Sequence, residues 1–286
     1  MSSETRPPES APKPARRPLL TEVVSTRRLS PQMVRVIVAG EDLRGFPIGQ
    51  FSDHYVKLQL PAPGATYRPP FAVEQLRSEQ PRELWPRVRT YTVAGWDPDL
   101  LELTIDFVCH GSEGVAGPWA EAAVPGDRLQ LVGPGGAYSP DPEASSHLLI
   151  GDLCVIPAIE GALARIPAGV PVRVLIEIDD ESERRELAGA GELELSWHLR
   201  GADAAASPLV DAVAELELPS PAPQLFVHGE AGMVRAVRRR LLVERGIGGE
   251  HPSISGYWKR RRTEEGWRED KPEWKRLVAA DSGTAP

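Results

Sequence analysis

Apolar and polar positions change rhythm near the middle of the chain. From residue 19 to 140 the apolar residues fall in short runs with partial two-residue alternation: Met33–Val38, Tyr55–Leu60, Val88–Val93, Leu101–Val108 and Arg128–Val132. Alternation sends successive side chains to opposite faces, so each run predicts a strand. Turn signals separate them: Pro-Ala-Pro-Gly at 61–64, Asp-Pro-Asp at 97–99, Pro-Gly-Asp at 125–127 and Gly-Pro-Gly-Gly at 133–136. Short strands at this spacing predict an antiparallel β-barrel. Val115–Ala123 reads as a short helix, and 66–86 has no clear period and reads as a long loop.

After about residue 141 strand and helix patterns alternate. His147–Gly151, Val172–Ile178, Glu192–Leu199 and Gln224–Gly229 read as strands. Pro157–Ile166, Leu209–Leu216 and Glu230–Arg245 read as helices. In the last, Met233, Val234, Val237, Leu241 and Leu242 share one face, and Gly246 ends it. Such alternation predicts an α/β unit with a parallel sheet. The expected organisation is a disordered tail over 1–18, a barrel over 19–140 and a nucleotide-binding-like α/β domain over 141–255. A helical segment rich in aromatic and basic residues follows over 256–278, with a second disordered tail over 279–286.

Composition narrows the function classes. The net charge of −8 argues against a nucleic-acid partner. No apolar run is long enough for a transmembrane helix. The first 18 residues hold five prolines and no apolar core of a secretory signal. Two cysteines, Cys109 and Cys154, make no disulfide framework, so a reducing cytoplasm is the expected compartment and two inert thiols the expected state. The six histidines are scattered without metal-ligand spacing, and no protein metal site is expected. There is no Gly-x-Ser-x-Gly elbow and no Gly-x-Gly-x-x-Gly fingerprint. The basic run Lys259–Arg262 is diluted by acids between Glu264 and Glu273, and Arg235, Arg238, Arg239 and Arg240 lie largely off the apolar face of their helix.

Two stretches carry candidate chemistry. Arg89-Thr90-Tyr91-Thr92 sits inside a predicted strand. Seventeen residues further begins Asp106-Phe107-Val108-Cys109-His110-Gly111-Ser112-Glu113-Gly114-Val115-Ala116-Gly117-Pro118-Trp119. An arginine for a phosphate, an aromatic ring for a flat heterocycle, a hydroxyl for its polar edge and a glycine-rich loop for a diphosphate together suit a flavin.

With Asp53-His54-Tyr55-Val56-Lys57-Leu58, Gly229-Glu230-Ala231 and Ser255-Gly256-Tyr257-Trp258-Lys259-Arg260 followed by Thr263-Glu264-Glu265-Gly266-Trp267, the chain resembles the siderophore-interacting proteins. These are flavin-dependent ferric-siderophore reductases with a ferredoxin-reductase-like fold. The resemblance runs from about residue 20 to 276. It implies an oxidoreductase that passes electrons from NADPH, or in some relatives ferredoxin, through FAD to a ferric siderophore, releasing Fe(II). It implies that Arg89, Thr90, Tyr91 and Thr92 hold the flavin and its phosphate. Asp106, Val108, His110, Gly111, Gly114, Ala116 and Trp119 then line the rest of FAD, and Gly151, Asp152, Gly229 and Glu230 receive the nicotinamide nucleotide. Lys57, Lys259 and Arg260 are the implied substrate contacts, and no side chain is singled out as catalytic.

The chain departs from that pattern at Ala94, at Val115-Ala116-Gly117, at Gly135-Gly136-Ala137 and at Leu153-Cys154. Each loses a polar group expected to face cofactor, and a lost hydrogen bond to a charged phosphate costs roughly 1.5–3 kcal/mol. These losses raise a second reading, in which FAD or NADPH binding is weakened or lost. The scaffold is then a non-redox cyclase or tailoring enzyme of natural-product biosynthesis, relying on orientation and desolvation of its substrate.

Overall fold

In the computed structural model, residues 17–109, 111, 114–201, 206–248 and 251–281 are described. Six strands close the N-terminal barrel: β1 (Leu19–Ser30), β2 (Met33–Ala39), β3 (Tyr55–Leu60), β4 (Arg87–Asp97), β5 (Glu102–Val108) and β6 (Arg128–Gly135), in the order β1-β2-β5-β4-β3-β6. All six pairings are antiparallel. The alternation explains the closure. Val34, Val36 and Val38 of β2, Val56, Leu58 and Leu60 of β3, and Leu103, Ile105 and Phe107 of β5 all turn inward to one core. Helix α2 (Ala116–Ala122) contributes Ala116 and Ala120 to that core.

β1 goes beyond the five strands expected. Of its twelve residues only Thr21 and Val23 are buried, so its apolar face is too short to register as alternation. The stretch expected to be a bare loop holds helix α1 (Val73–Glu79), which buries no residue and so carries no helical period. Gln130 pins its approach through both backbone polar groups of Phe71.

The C-terminal half is a parallel five-stranded sheet of β7 (His147–Asp152), β8 (Pro171–Ile178), β9 (Glu192–Leu199), β10 (Gln224–Glu230) and β11 (Ser253–Trp258), ordered β11-β10-β7-β8-β9. Helix α3 (Ile156–Leu163) covers one face; α4 (Pro208–Glu215) and α5 (Ala231–Arg238) cover the other. Burial on both sides is why β7 and β8 read as continuous apolar runs. The helix expected over Glu230–Arg245 begins one residue later, with Glu230 as its cap accepting from Met233 N, and continues beyond Arg238 as a π-helical stretch, Arg239–Glu244.

The helical segment expected over 256–278 is corrected at its start. Residues 256–258 belong to β11, and helix α6 (Glu264–Asp281) begins only at Glu264 and extends three residues past the expected end. The segments 1–16 and 282–286 of the expected tails lie outside the described residues.

Polar contacts lock barrel to sheet. Glu183 is wholly buried and accepts from Ser30 Oγ and from Gln32 N at 2.8 Å. Asp53 Oδ1 accepts from the backbone N–H groups of Ala137 (2.8 Å) and Tyr138 (2.9 Å) in the connecting segment. Gly161 brings α3 against the barrel: a Cβ there would stand 2.5 Å from the Ser52 carbonyl oxygen. α6 then straps the two halves, with Trp274 Nε1 donating to Ala231 O (2.8 Å) on one side and Arg268 reaching Val88 O on the other.

Candidate functional site

One cavity of about 1020 Å3 opens between the two halves. Its barrel wall is built by β3 and β4. Tyr55 pairs with Thr92 and Lys57 with Thr90, and directly paired residues share a face, so these four form one polar surface. Arg89 and Tyr91 alternate with the threonines along β4 and also reach the cavity. Tyr91 is partly buried against Phe107, ring centroids 4.4 Å apart, and burial raises its phenol far above the ordinary range. It remains a neutral ring at any working pH.

The sheet supplies the opposite wall at its topological switch point. The chain leaves β7 toward β8 and β9 on one side, then returns to β10 and β11 on the other, so the β7–β10 crevice opens at the carboxyl ends of both strands. Asp152 ends β7 there. Its Oδ2 accepts from Glu230 N (2.7 Å) and Trp258 Nε1 (2.8 Å), and its Oδ1 from Cys154 N (3.1 Å). One carboxylate thus fixes the ends of three strands. Burial raises its pKa, and the hydrogen bonds oppose that rise. Gly229 has φ of 129°, and a Cβ would come within 2.6 Å of Asp152 Oδ2, so only glycine fits. Gly151 is equally confined: a Cβ would meet Val155 at 2.7 Å.

The cavity floor lies on β10 and β11. His228 is 4% exposed, stacks on Phe226 at 3.9 Å and bonds Ser253 Oγ through Nε2 at 2.9 Å, while Nδ1 has no partner. Burial lowers its pKa to about 3, so the imidazole is neutral. Trp258 stacks beneath Arg260, 5.5 Å from ring centroid to guanidinium carbon. Cys154 lines the cavity and Cys109 is buried; both are free thiols, with Cys109 raised by burial to about 11 and Cys154 well above its usual value. Among the described residues no group of ligating side chains is placed to hold a metal ion.

The cavity therefore gathers Lys57, Arg89, Thr90, Tyr91, Thr92, Asp106, Val108, Asp152 and Arg260. Other expected contacts lie elsewhere. Lys259 does not line it; its amine is drawn to Asp270 at 2.9 Å, which Arg262 shares. Ala116 is buried in the barrel core, and Gly111 stands in a turn outside the cavity with φ of 60°. Gly114 and Trp119 border a separate hollow of about 700 Å3 on the barrel's flank, where Trp119 also packs on Phe107. Gly151, Gly229 and Glu230 shape the crevice without bordering the cavity. His110 lies outside the described residues. Asp106 reaches the cavity, but Arg35 already holds both its oxygens, at 2.7 and 2.8 Å.

α6 adds residues that the sequence did not single out as site residues. Glu264, Trp267, Arg268 and Lys271 close the cavity's open side. Glu265 grips Arg89 with both oxygens, at 2.6 and 3.2 Å. Only the motif Ser255–Arg260 with Thr263–Trp267 marks this region, and nothing in its spacing indicates a partner on β4.

A flavin suits this donor set. A cation, two hydroxyls and an aromatic ring stand consecutively on one strand, and all reach a cavity of about 1020 Å3. Arg89 gives three hydrogen bonds, to Glu265 and Val88 O, and so keeps part of its fork of N–H groups for a phosphate.

Two family models match the chain: the siderophore-interacting FAD-binding domain over residues 22–138 and the siderophore-interacting protein over 144–261. The ferric vibriobactin reductase ViuB of Vibrio cholerae is 34% identical over 265 residues, covering 89% of this chain and 94% of that protein. The NADPH-dependent ferric-chelate reductase of Escherichia coli is 30% identical over 242 residues, covering 82% and 91%. The crystal structure of the siderophore-interacting protein SipS from Aeromonas hydrophila superposes with a TM-score of 0.77 at 26% identity, covering 90% of this chain and 98% of that one.

Proposed function

The chain belongs to the siderophore-interacting protein family, and from that premise we propose that it is an FAD-dependent oxidoreductase passing electrons from NADPH to a ferric siderophore. One observation carries the reading. A single cavity joins the Arg89–Thr92 wall of the barrel to the switch-point crevice of the sheet, so a flavin and a nucleotide donor have adjoining places. The reductase names of the Vibrio cholerae and Escherichia coli relatives weigh for redox chemistry and against the non-redox cyclase.

A bound FAD would supply the conversion between a two-electron hydride donor and the one-electron acceptor Fe(III). The chain's own residues supply position and exclusion. Arg89 takes a phosphate, Tyr91 and Thr92 meet the ring, and Asp152 keeps the crevice open at a fixed width by tying β7, β10 and Trp258 together. α6 and the neutral floor of His228 and Tyr257 shield the cavity from water. Lys57 and Arg260 face the substrate at the mouth. Hard oxygen ligands hold Fe(II) less tightly than Fe(III), so reduction releases the metal.

Denaturing the purified protein should release FAD, identified by its absorbance and mass. Anaerobic NADPH should bleach the flavin, and a ferric siderophore should restore its colour. A protein that neither retains nor takes up FAD sinks this reading. Flavin that bleaches with reduced ferredoxin but not with NADPH reassigns the donor.

A further inference from the structure

The two edges of the α/β sheet are finished differently. At β11 the ladder shifts register between Gly229 and Glu230 of β10, and α6 reaches over the strand, with Lys271 Nζ donating to Gly256 O at 3.1 Å. β9, the other edge, has neither device. Its eight residues, Glu-Leu-Glu-Leu-Ser-Trp-His-Leu, include no proline, glycine or lysine, and its pairing with β8 runs without a bulge. Natural sheets blunt an open edge by such means, because a row of unpaired N–H and C=O groups templates another strand. Which groups face outward follows from the ladder. Glu192 N donates to Val170 O at 2.9 Å and Arg200 N to Ile178 O at 2.8 Å, so the even-numbered residues turn their backbone polar groups toward β8. Leu193, Leu195, Trp197 and Leu199 turn theirs away from the sheet, and among the described residues these groups find no partner. The side chains of Leu193, Leu195 and Trp197 form the half-buried rim of the core beneath α3, and Leu199 is 46% exposed.

A strand laid antiparallel along this edge must set outward-turned residues directly opposite one another. Centred on Ser196, β9 meets that condition against its own copy. Leu195 then faces Trp197 and Leu193 faces Leu199 on one side of the sheet, while Glu194 faces His198 and Glu192 faces Arg200 on the other. Apolar meets apolar, and each acid meets a base. Glu194 keeps its Arg173 and Arg200 its Glu177, so the pairing adds no like-charge repulsion. Glu192 is exposed and, among the described residues, has no ion pair within its own chain. A register centred on Glu194 sets that carboxylate against itself, and one centred on Leu195 leaves Arg200 opposite Ala190, beyond the strand.

We propose that two copies of this chain associate through β9, antiparallel about a two-fold axis at Ser196, and so join their five-stranded sheets into one. The interface is isologous: each residue meets in the partner the residue that meets it in return, and the contact closes at two copies. It covers the outward leucines and Trp197 and satisfies the backbone groups that β9 otherwise leaves to solvent.

Sedimentation equilibrium of the purified full chain at micromolar concentrations should give a dimer. In the pairing, Ser196 stands opposite its own copy at a non-hydrogen-bonded position, where Cα atoms lie about 4.5 Å apart, within reach of a disulfide. Ser196→Cys should therefore oxidise to a covalent dimer, whereas Glu194→Cys, which faces His198, should not. Wild type should stay uncrosslinked, because Cys109 is buried and Cys154 lies in the cavity between barrel and sheet. Ser196→Lys sets two cations against each other and should weaken association by about tenfold or more, with an unchanged far-ultraviolet dichroism spectrum. If that spectrum changes, the two cysteine variants decide. A dimer indifferent to Ser196→Lys, or Glu194→Cys crosslinking as readily as Ser196→Cys, overturns the proposal. So does a wild type that stays monomeric, which leaves the edge to a strand of a different protein.

Discussion

Arg89 of β4 and Glu265 of α6, 176 residues apart, close a two-pronged ion pair at 2.6 and 3.2 Å across the opening of the cavity. The arginine assigned to the FAD phosphate is thus held by a carboxylate of the C-terminal helix. A phosphate on the remaining N–H groups of Arg89 shares the guanidinium with Glu265, whose negative charge opposes it, and charge-assisted hydrogen bonds of this kind are worth about 1.5–3 kcal/mol each. Arg89→Ala should therefore weaken FAD binding by about tenfold or more, and Glu265→Gln should strengthen it. Titration of apoprotein followed by flavin fluorescence measures both. If FAD binds Arg89→Ala as tightly as wild type, Arg89 has no phosphate role.

The same pair predicts a pH signature. Burial raises the Glu265 pKa, but the Arg89 hydrogen bond and charge, with the backbone N–H and Arg87, outweigh burial and leave it below the ordinary carboxylate value. A carboxylate depressed in the folded state contributes stability that is fully present above its unfolded pKa and is lost as pH falls through the folded one. Glu265 is 38% exposed, so solvent screening keeps the contribution below about 1 kcal/mol. The difference in melting temperature between wild type and Glu265→Gln should be constant from neutral pH down to about pH 5 and vanish in stronger acid. A difference that grows on acidification contradicts the pairing.

How much of this was legible in the sequence follows from where the side chains point. Val34, Val36 and Val38 announce β2 because alternate residues enter a core. β1 stays silent because its outward residues outnumber its two buried ones. β11 is hidden for a functional reason: Ser253, Ser255 and Tyr257 turn toward the cavity, so the strand lacks an apolar face. Arg89 to Thr92 were findable because four contiguous residues carry their own chemistry. Lys259 is turned toward Asp270 of α6 and away from the cavity wall, a contact no local pattern encodes. Glu265 was missed as a site residue because its partner is distant in sequence, and only the closed fold brings them together.

His228 supplies a test of the uncharged floor. Its pKa of about 3 in the folded protein lies well below 6.5, so the unfolded chain takes up the proton first. Stability from this group is complete above about pH 6.5 and falls as acid is added, by up to about 1.4 kcal/mol per pH unit, until the folded value is reached. His228→Asn should flatten that slope between pH 6.5 and pH 4 in urea unfolding. In wild type, the imidazole resonances of His228 should not shift over the same range. An imidazole that titrates near pH 6 rules out a neutral floor.

Asp152 is the remaining keystone, because one carboxylate receives the N–H groups of Glu230, Trp258 and Cys154. Asp152→Ala strands three donors in a region where the residue is 7% exposed, and each buried donor left unpaired costs about 1–3 kcal/mol. Relaxation and water entry recover part of this, so the expected loss is about 2–5 kcal/mol. Asp152→Asn keeps one acceptor oxygen and should cost less, since its amide satisfies some of the three donors. Gly229→Ala attacks the same junction from the other strand, through a Cβ 2.6 Å from Asp152 Oδ2 at a φ of 129°. It should destabilise wild type severely and Asp152→Ala less, because the clashing carboxylate is gone while the strain of a side chain at a φ of 129° remains. A double-mutant cycle of urea midpoints measures that coupling. Strictly additive effects would mean that the carboxylate moves aside freely and does not set the width of the crevice.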